Sequence, residues 1–222
     1  MKKKISIAII GCGRVSEHYL KIFKSKKIKK FMISAVCDLK IKKTQNFKKN
    51  FNCLVYDDMK KMLDEIRVDL VILLTPSGLH YEHSKYILNK RFNLLLEKPP
   101  ALLPNQIKDL DIIAKKNKLF VTVAYQNRLN PAMYMLKNAI EKNRFGKIIT
   151  STIRLRWCRY NDYYNDEWHG SWKMDGGVLN QQAIHHLDGL NWLVGPFNKV
   201  SAIATKRLNK LEAEDTIVGI LE

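Results

Sequence analysis

The feature that most constrains the fold is an apolar run of strand length that ends in a glycine-containing turn near the amino terminus. The run and turn read KISIAIIGCGRVS, and a helical pattern follows them. Gly11 and Gly13 allow backbone N–H groups to approach a diphosphate at the start of a helix, where the helix dipole favours negative charge. Arg14 and Val15 complete the turn, and Ser16 occupies the position where a third glycine is usual. The turn predicts a dinucleotide-binding strand–turn–helix unit.

An acidic residue follows the second apolar run at a spacing that suits such a site. Residues 31–37 predict a buried strand, and Asp38 follows it, 25 residues after Gly13. In dinucleotide sites an acid about 20 residues beyond the turn accepts hydrogen bonds from the ribose. A carboxylate there repels a 2′-phosphate, so the sequence predicts NAD rather than NADP. The alternative is that Asp38 only caps the next helix.

The composition argues against nucleic-acid and membrane partners. The formal net charge is +18, and residues 1–61 carry 17 basic but only four acidic side chains. These lysines lack the interleaved aromatic residues of a single-strand-binding surface and the element order of a nucleic-acid reading motif. No apolar run approaches the length of a membrane span. Four cysteines without paired spacing predict neither disulfides nor a metal site, and they favour a cytoplasmic location.

Strand-like and helix-like segments alternate through the first 123 residues. Strands are predicted near residues 5–10, 32–37, 53–56, 70–74, 92–96 and 120–123. Helices are predicted near residues 15–23, 40–50, 59–64, 80–89 and 104–116. Strands that alternate with helices of this length imply right-handed crossovers and a doubly wound parallel sheet of the α/β class. Residues 1–124 therefore predict a Rossmann domain, in which ligands bind beyond the carboxyl ends of the strands.

The pattern changes after residue 124. Residues 131–142 and 177–193 predict helices, and residues 147–160, 200–207 and 216–221 predict strands. This order predicts that residues 125–222 form an α+β domain. Because the last strand lies at the very end of the sequence, where unpaired edge groups would be exposed, we expect this domain to be truncated.

Two predicted strands are followed by loops with polar residues. The fourth strand leads into TPSGLH, where the hydroxyls of Thr75 and Ser77 are available to a cofactor. The fifth strand leads into EKP, which places Glu97 and Lys98 at a strand end. Partial burial there would lower a lysine pKa toward a catalytic range. The alternative is that these two residues form an ordinary solvated pair.

The motifs GCGR, TPSGLH and EKP, in this order and spacing, resemble the Gfo/Idh/MocA oxidoreductase family. The resemblance implies an NAD-binding Rossmann domain that acts on sugar or cyclitol carbons. It also implies a carboxy-terminal α/β domain with an open, mostly antiparallel sheet that binds substrate and packs subunits into dimers or tetramers. Lys98 would lie in the active site, and Glu97 would contact the cofactor on its nicotinamide side.

The segment GGVLNQQAIHHLD resembles the family helix in which an aspartate precedes a catalytic histidine by four positions. His185 takes the histidine position, and Gln181 replaces the aspartate on the same predicted helix face. A neutral amide does not raise an imidazole pKa as a carboxylate does. The resemblance makes His185 the first choice for the catalytic base and leaves Lys98 as the alternative, whereas His186 is expected to be structural.

Further polar and aromatic segments are AYQNRLNP over residues 124–131, RWCR over 156–159, YY at 163–164 and WHGSW over 168–172. Together with the helix that carries Gln181, they resemble a subgroup of the family that uses NAD to oxidise C3 of UDP-N-acetylglucosaminuronate in surface-polysaccharide (lipopolysaccharide) precursor synthesis. Implied substrate contacts are Lys98, Asn127, Arg128, Arg156, Arg159, Tyr163, Gln181 and His185. Implied cofactor contacts are Gly11, Gly13, Arg14, Val15, Asp38, Thr75, Ser77, His80, Glu97, Lys98, Gln126 and Trp168. Arginines suit such a substrate because guanidinium groups pair with carboxylates and phosphates through two hydrogen bonds.

Two other functions stay open at this stage. One is a different enzyme of the family, such as an inositol or glucose–fructose type dehydrogenase. The other is an NAD-binding or regulatory module without turnover, which the amide at Gln181 and the partial second domain would explain.

Overall fold

The computed structural model describes residues 4–25, 28–166, 168–207 and 211–222. The chain divides into two compact units, Met1–Ala124 and Tyr125–Glu222.

The first unit contains a six-stranded parallel sheet. Its strands are β1 (Ile5–Ile10), β2 (Phe31–Cys37), β3 (Leu54–Tyr56), β4 (Leu70–Leu73), β5 (Leu94–Leu96) and β6 (Val121–Val123). Their order in the sheet is β3-β2-β1-β4-β5-β6, and every neighbouring pair is parallel. The strand order reverses between β1 and β4, which is where ligands bind in sheets of this topology. The predicted doubly wound α/β fold is confirmed.

Among the residues that the structure describes, five α-helices connect these strands. They are α1 (Ser16–Lys24), α2 (Gln45–Phe51), α3 (Met59–Glu65), α4 (His80–Asn89) and α5 (Pro104–Asn117). The predicted helix over 40–50 instead begins with a 3-10 turn, Ile41–Thr44, in which the Thr44 hydroxyl donates to the carbonyl of Ile41 at 2.6 Å. That local bond competes with the α-helical pattern, so the α-helix starts at Gln45.

The core of this unit lies on both faces of the sheet. Along β1, Ile7 and Ile9 belong to one buried apolar cluster, and Ala8 and Ile10 belong to the other. Successive side chains of a strand point to opposite faces, so both faces of β1 are covered. Two-sided burial explains why these strands are continuous apolar runs in the sequence.

The described residues of the second unit contain two α-helices and one antiparallel strand pair. The helices are α6 (Pro131–Glu141) and α7 (Ile184–Val194), and the strands are β7 (Val200–Thr205) and β8 (Thr216–Leu221). A π-helical turn, Leu179–Ala183, leads into α7, and 3-10 turns occur at Gln126–Leu129 and Asn161–Tyr164.

The strand expected over residues 147–160 is not observed. This segment joins no β ladder in the described part of the chain, where β7 pairs only with β8. Its alternating pattern suits a strand, but a strand needs the N–H and C=O groups of a neighbour to complete its hydrogen bonds.

None of the helices among the described residues is both long and apolar enough to cross a membrane.

Candidate functional site

The turn after β1 brings its backbone against the end of β4. Gly11 has a φ of +93°, and a Cβ atom at this residue would lie 2.7 Å from the carbonyl oxygen of Leu74. The Gly11 N–H donates to the carbonyl of Cys37 at 2.8 Å. A side chain at Gly13, by contrast, would meet nothing within 4 Å. Glycine is thus required at the first position by close packing, and space lies open beside the second.

Ser16 performs the packing role of the missing third glycine. Its side chain is buried at the start of α1, and its hydroxyl donates to the carbonyl of Gly13 at 2.6 Å. The hydrogen bond fixes the end of the turn, while the flanking Arg14 and Val15 remain exposed.

The carboxylate of Asp38 is held between two loops. Its Oδ2 accepts a hydrogen bond from the N–H of Cys12 at 2.8 Å, and its Oδ1 accepts one from the N–H of Lys40 at 2.8 Å. The side chain is therefore more than a local cap, because it also fixes the glycine turn. A restrained acid at the end of β2 and an open space beside Gly13 fit a dinucleotide with free ribose hydroxyls.

Tyr19 contacts the candidate site residue Glu97, a contact that the sequence analysis missed. Its hydroxyl donates to Oε1 of Glu97 at 2.9 Å, which links α1 to the loop after β5. Burial, followed by the charge of Glu97 and this hydrogen bond, raises the pKa of Tyr19 above its usual range. The two residues lie 78 positions apart, so the only local signal was a tyrosine three residues after Ser16.

His80 differs from the expected cofactor contact. It is 1% exposed, with Nδ1 2.6 Å from the carbonyl oxygen of Pro99 and Nε2 2.7 Å from that of Thr75. Both ring nitrogens are engaged by the protein backbone, which leaves neither for a ligand. Burial lowers the pKa of His80, although the two carbonyls oppose this.

Thr75, His83 and Lys98 lie close to His80. The hydroxyl of Thr75 lies 3.2 Å from Nδ1 of His83, and Ser77 is buried at 4% exposure. Lys98 directly follows Glu97, is partly exposed, and lies close enough for its positive charge to lower the pKa of His80.

Arg128, an expected substrate contact, forms an ion pair with Asp188. Its Nε donates to Oδ2 of Asp188 at 2.7 Å, and a terminal guanidinium nitrogen donates to Oδ1 at 2.5 Å. The hydrogen bonding to Asp188 is the largest cause of the raised pKa of Arg128. The guanidinium is already paired with a carboxylate of its own unit, so a substrate anion would have to compete with it.

Arg159 and Tyr163 do come together in the second unit. The Arg159 guanidinium carbon lies 4.0 Å from the Trp157 ring centroid and 4.7 Å from that of Tyr163. The Tyr163 hydroxyl accepts a hydrogen bond from Nε2 of Gln182 at 3.1 Å, a partner that the sequence analysis did not identify. Arg156 is exposed.

The segment that carries Gln181 and His185 is not a continuous α-helix. Gln181 lies in the π-helical turn Leu179–Ala183 and is 8% exposed, whereas His185 lies in the first turn of α7. The sequence predicts that Gln181 and His185 share one face of a continuous α-helix. A π-helical turn is wider than an α-helical turn, so it changes the spacing of side chains on which that expectation depends. The ring of His185 meets that of Tyr125 edge-on at a centroid distance of 6.3 Å.

Asn127, His185 and His186 contribute polar groups to an otherwise mostly apolar cavity of about 600 Å³ in the second unit. Its apolar lining comes from α6, α7 and the segment over 145–153. The remaining expected cofactor contacts of this unit lie elsewhere: Gln126 is exposed, and Trp168 stacks on His169 at 3.6 Å.

The described residues contain no cluster of three or more potential metal ligands. All four cysteines are free thiols; Cys158 is exposed and the others are buried.

The fold and the turn–carboxylate geometry together define a dinucleotide-binding protein of the Rossmann class. A family model described as an oxidoreductase family with an NAD-binding Rossmann fold matches residues 5–125, and a model of the GFO/IDH/MocA C-terminal domain matches residues 133–222. The chain belongs to the Gfo/Idh/MocA oxidoreductase family, and its first unit is an NAD-binding Rossmann domain. The family resemblance and the NAD prediction are confirmed.

Two solved structures similar to the chain are WlbA dehydrogenases from Chromobacterium violaceum and Bordetella pertussis, each in complex with NADH and UDP-GlcNAcA. Each is 31% identical to the chain with a TM-score of 0.95, covering 100% of this chain and 64% of its own. D-glucoside 3-dehydrogenase of Escherichia coli K12 is 27% identical over 212 residues, which are 93% of this chain. The chain spans 58% of that relative's length.

Proposed function

We propose that this protein is an NAD-dependent dehydrogenase that oxidises C3 of a UDP-N-acetyl-hexosaminuronate. The observation that carries the proposal is the TM-score of 0.95 over the entire chain with two dehydrogenases that hold NADH and UDP-GlcNAcA. The position of oxidation is supported by the relative that acts as a D-glucoside 3-dehydrogenase. Such a reaction would serve the synthesis of surface-polysaccharide precursors, including those of lipopolysaccharide.

The Rossmann unit supplies the cofactor-binding part of this proposal. Asp38, fixed by the N–H groups of Cys12 and Lys40, would accept hydrogen bonds from the ribose, and the diphosphate would lie beside Gly13. Bound NAD⁺ would supply the hydride acceptor.

The proposed chemistry assigns one role to His185 and a different one to Lys98. His185 would accept the proton of the substrate hydroxyl, and Lys98 would stabilise the negative charge that develops on that oxygen. If His185 proves dispensable, Lys98 is the alternative base. Glu97, whose carboxylate receives the Tyr19 hydroxyl, would contact the cofactor on its nicotinamide side.

The substrate anion is proposed to meet Arg156 and Arg159 rather than Arg128. Arg156 is exposed, and Arg159 is held by the rings of Trp157 and Tyr163. Stacking on aromatic faces orients a guanidinium without neutralising it, so its positive charge remains available to a phosphate or carboxylate.

Absorbance at 340 nm, which follows NADH formation, tests this proposal. We expect UDP-N-acetylglucosaminuronate to give turnover with NAD, and UDP-N-acetylglucosamine, which lacks the carboxylate, to give much less. Faster turnover of inositols or simple glucosides would select a different enzyme of the family. NADH binding without turnover of any sugar would select a binding or regulatory module.

We also propose that the protein acts in the cytoplasm as a homodimer or homotetramer. A reducing compartment agrees with four free thiols. In the β7–β8 pair, Val200, Ile203 and Val218 are each more than 70% exposed, and apolar surface of this kind favours association. Sedimentation equilibrium would give a single monomeric mass if the oligomer proposal is wrong.

A further inference from the structure

His80 joins two loops at the carboxyl end of the parallel sheet. Its ring is 1% exposed and lies between the carbonyl of Thr75, in the loop after β4, and that of Pro99, in the loop after β5. The distances of 2.7 and 2.6 Å are short for hydrogen bonds between nitrogen and oxygen. Lys98 immediately precedes Pro99 in the chain.

We propose that His80 is a positioning residue that holds the backbone at Pro99, and through it Lys98, in the geometry that the reaction requires. The inference rests on the function proposed above, in which Lys98 stabilises the developing charge. It gives His80 a role without contact to the cofactor or the substrate.

The chemistry of imidazole limits which loop the ring holds. A neutral histidine has one N–H donor, whereas two carbonyl acceptors face this ring. Burial is the largest cause and lowers the pKa of His80, which favours the neutral form; the carbonyls of Pro99 and Thr75 oppose this, and His83 on α4 and Lys98 after β5 act with burial. One carbonyl therefore receives the N–H, and we assign it to Pro99, so that Nδ1 carries the proton.

The assignment of the N–H to Pro99 follows from the other contacts of the Thr75 and Pro99 backbones. Thr75 also contacts His83 through its hydroxyl at 3.2 Å, which gives its loop a second anchor. Proline has no N–H, so the backbone of Pro99 can be held by a hydrogen bond only through its carbonyl. Lys98 is thus anchored on one side through Glu97, whose N–H donates to the carbonyl of Leu73 at 3.1 Å and whose carboxylate receives the Tyr19 hydroxyl, and on the other side through the carbonyl of Pro99, which faces His80.

Two conservative variants test the hydrogen bond to Pro99 and the contact with Thr75 separately. His80→Asn keeps an amide donor near the position of Nδ1 and so near Pro99, and His80→Gln keeps a donor near the position of Nε2 and so near Thr75. We expect His80→Asn to retain kcat and His80→Gln to lose about tenfold to 100-fold in kcat, because displacing a catalytic group by about 1 Å has effects of this size. The KM for NAD should change little in either variant.

A readout that needs no turnover separates this inference from the proposed function. The rate at which acetic anhydride labels Lys98, measured by mass spectrometry, should change in His80→Gln and remain at the wild-type value in His80→Asn. Ser84→Ala is the matched control, because Ser84 is buried one helical turn further along α4 and its hydroxyl has no partner among the described residues. Equal effects of both His80 variants on labelling would overturn the proposal.

The assignment of the proton can be tested without any substitution. Long-range ¹⁵N–¹H spectra of the wild-type protein distinguish a protonated Nδ1 from a protonated Nε2. We expect the signal of His80 to show the proton on Nδ1, and a proton on Nε2 would contradict the proposal.

Discussion

Arg128 and Asp188 are joined by two parallel hydrogen bonds that connect the 3-10 turn Gln126–Leu129 to α7. The Arg128 side chain is 40% exposed and that of Asp188 only 11%, so the pair is partly screened by water. In a double-mutant cycle with Arg128→Ala and Asp188→Ala, we expect a coupling free energy of about 1 kcal/mol. Urea unfolding of the four proteins measures it. The Lys137–Glu141 pair on α6 serves as the control, and a coupling for Arg128–Asp188 no larger than its value would refute this prediction.

The carboxylate of Asp38 should set the preference between the two nicotinamide cofactors. We expect Asp38→Ala to weaken NADH binding by about tenfold or more, because charge-assisted hydrogen bonds contribute about 1.5–3 kcal/mol. NADPH binding should weaken less, since the repulsion of the 2′-phosphate is also removed. Calorimetric titration with both cofactors tests this, with Asp111→Ala on the exposed face of α5 as the control. Equal losses for NADH and NADPH would show that Asp38 does not contact the ribose.

Lys98 should be needed for turnover and dispensable for cofactor binding. Lys98→Met keeps much of the volume of the side chain and removes its charge, so we expect kcat to fall by at least about 100-fold. NADH affinity should stay close to that of the wild type. Lys108→Met, at an exposed position of α5, is the matched control. Unchanged turnover in Lys98→Met would remove this residue from the proposed mechanism.

The amide at Gln181 should set the pH at which the proposed base acts. A carboxylate in Gln181→Asp would favour the imidazolium form of His185 and so raise its pKa. Because the base must be neutral to accept a proton, the acidic limb of the kcat profile should move to higher pH. Gln182→Glu is the comparison, since Gln182 bonds to Tyr163. An unshifted acidic limb in Gln181→Asp would show that the π-helical turn separates residue 181 from His185, or that His185 is not the base.

The four thiols should differ sharply in reactivity. Burial, as the largest cause, raises the pKa values of Cys12 and Cys37 to about 12, and it also raises that of Cys53. Thiolate is the reactive form, so these three should react slowly at pH 8, whereas exposed Cys158 should react fast. Titration with a thiol-specific disulfide reagent should show one fast thiol in the native protein and four after unfolding. Cys158→Ser should abolish the fast phase, and a fast phase that survives would contradict the assignment.

The Rossmann unit was largely predictable because its signals are local. Both faces of the sheet are buried, so each strand is a short apolar run, and the glycine turn and Asp38 follow directly from strand ends. Contacts within the site were less predictable. Tyr19 and Glu97 are 78 residues apart in the chain, and the sequence around either residue does not indicate the other as its partner.

The amino-acid sequence by itself determined the parallel α/β sheet, the glycine turn, the acid beside it and the family, since each depends on residue type and short spacing. Only the tertiary structure decided that His80 lies between two backbone carbonyls, that Arg128 is paired with Asp188, and that residues 147–160 join no ladder within the described ranges. The physical reason is that hydrogen bonds and strand pairing join groups distant in the chain. The type of a side chain determines which groups it is able to bind. Its actual partner depends on which donor or acceptor atoms folding brings within about 3 Å of it.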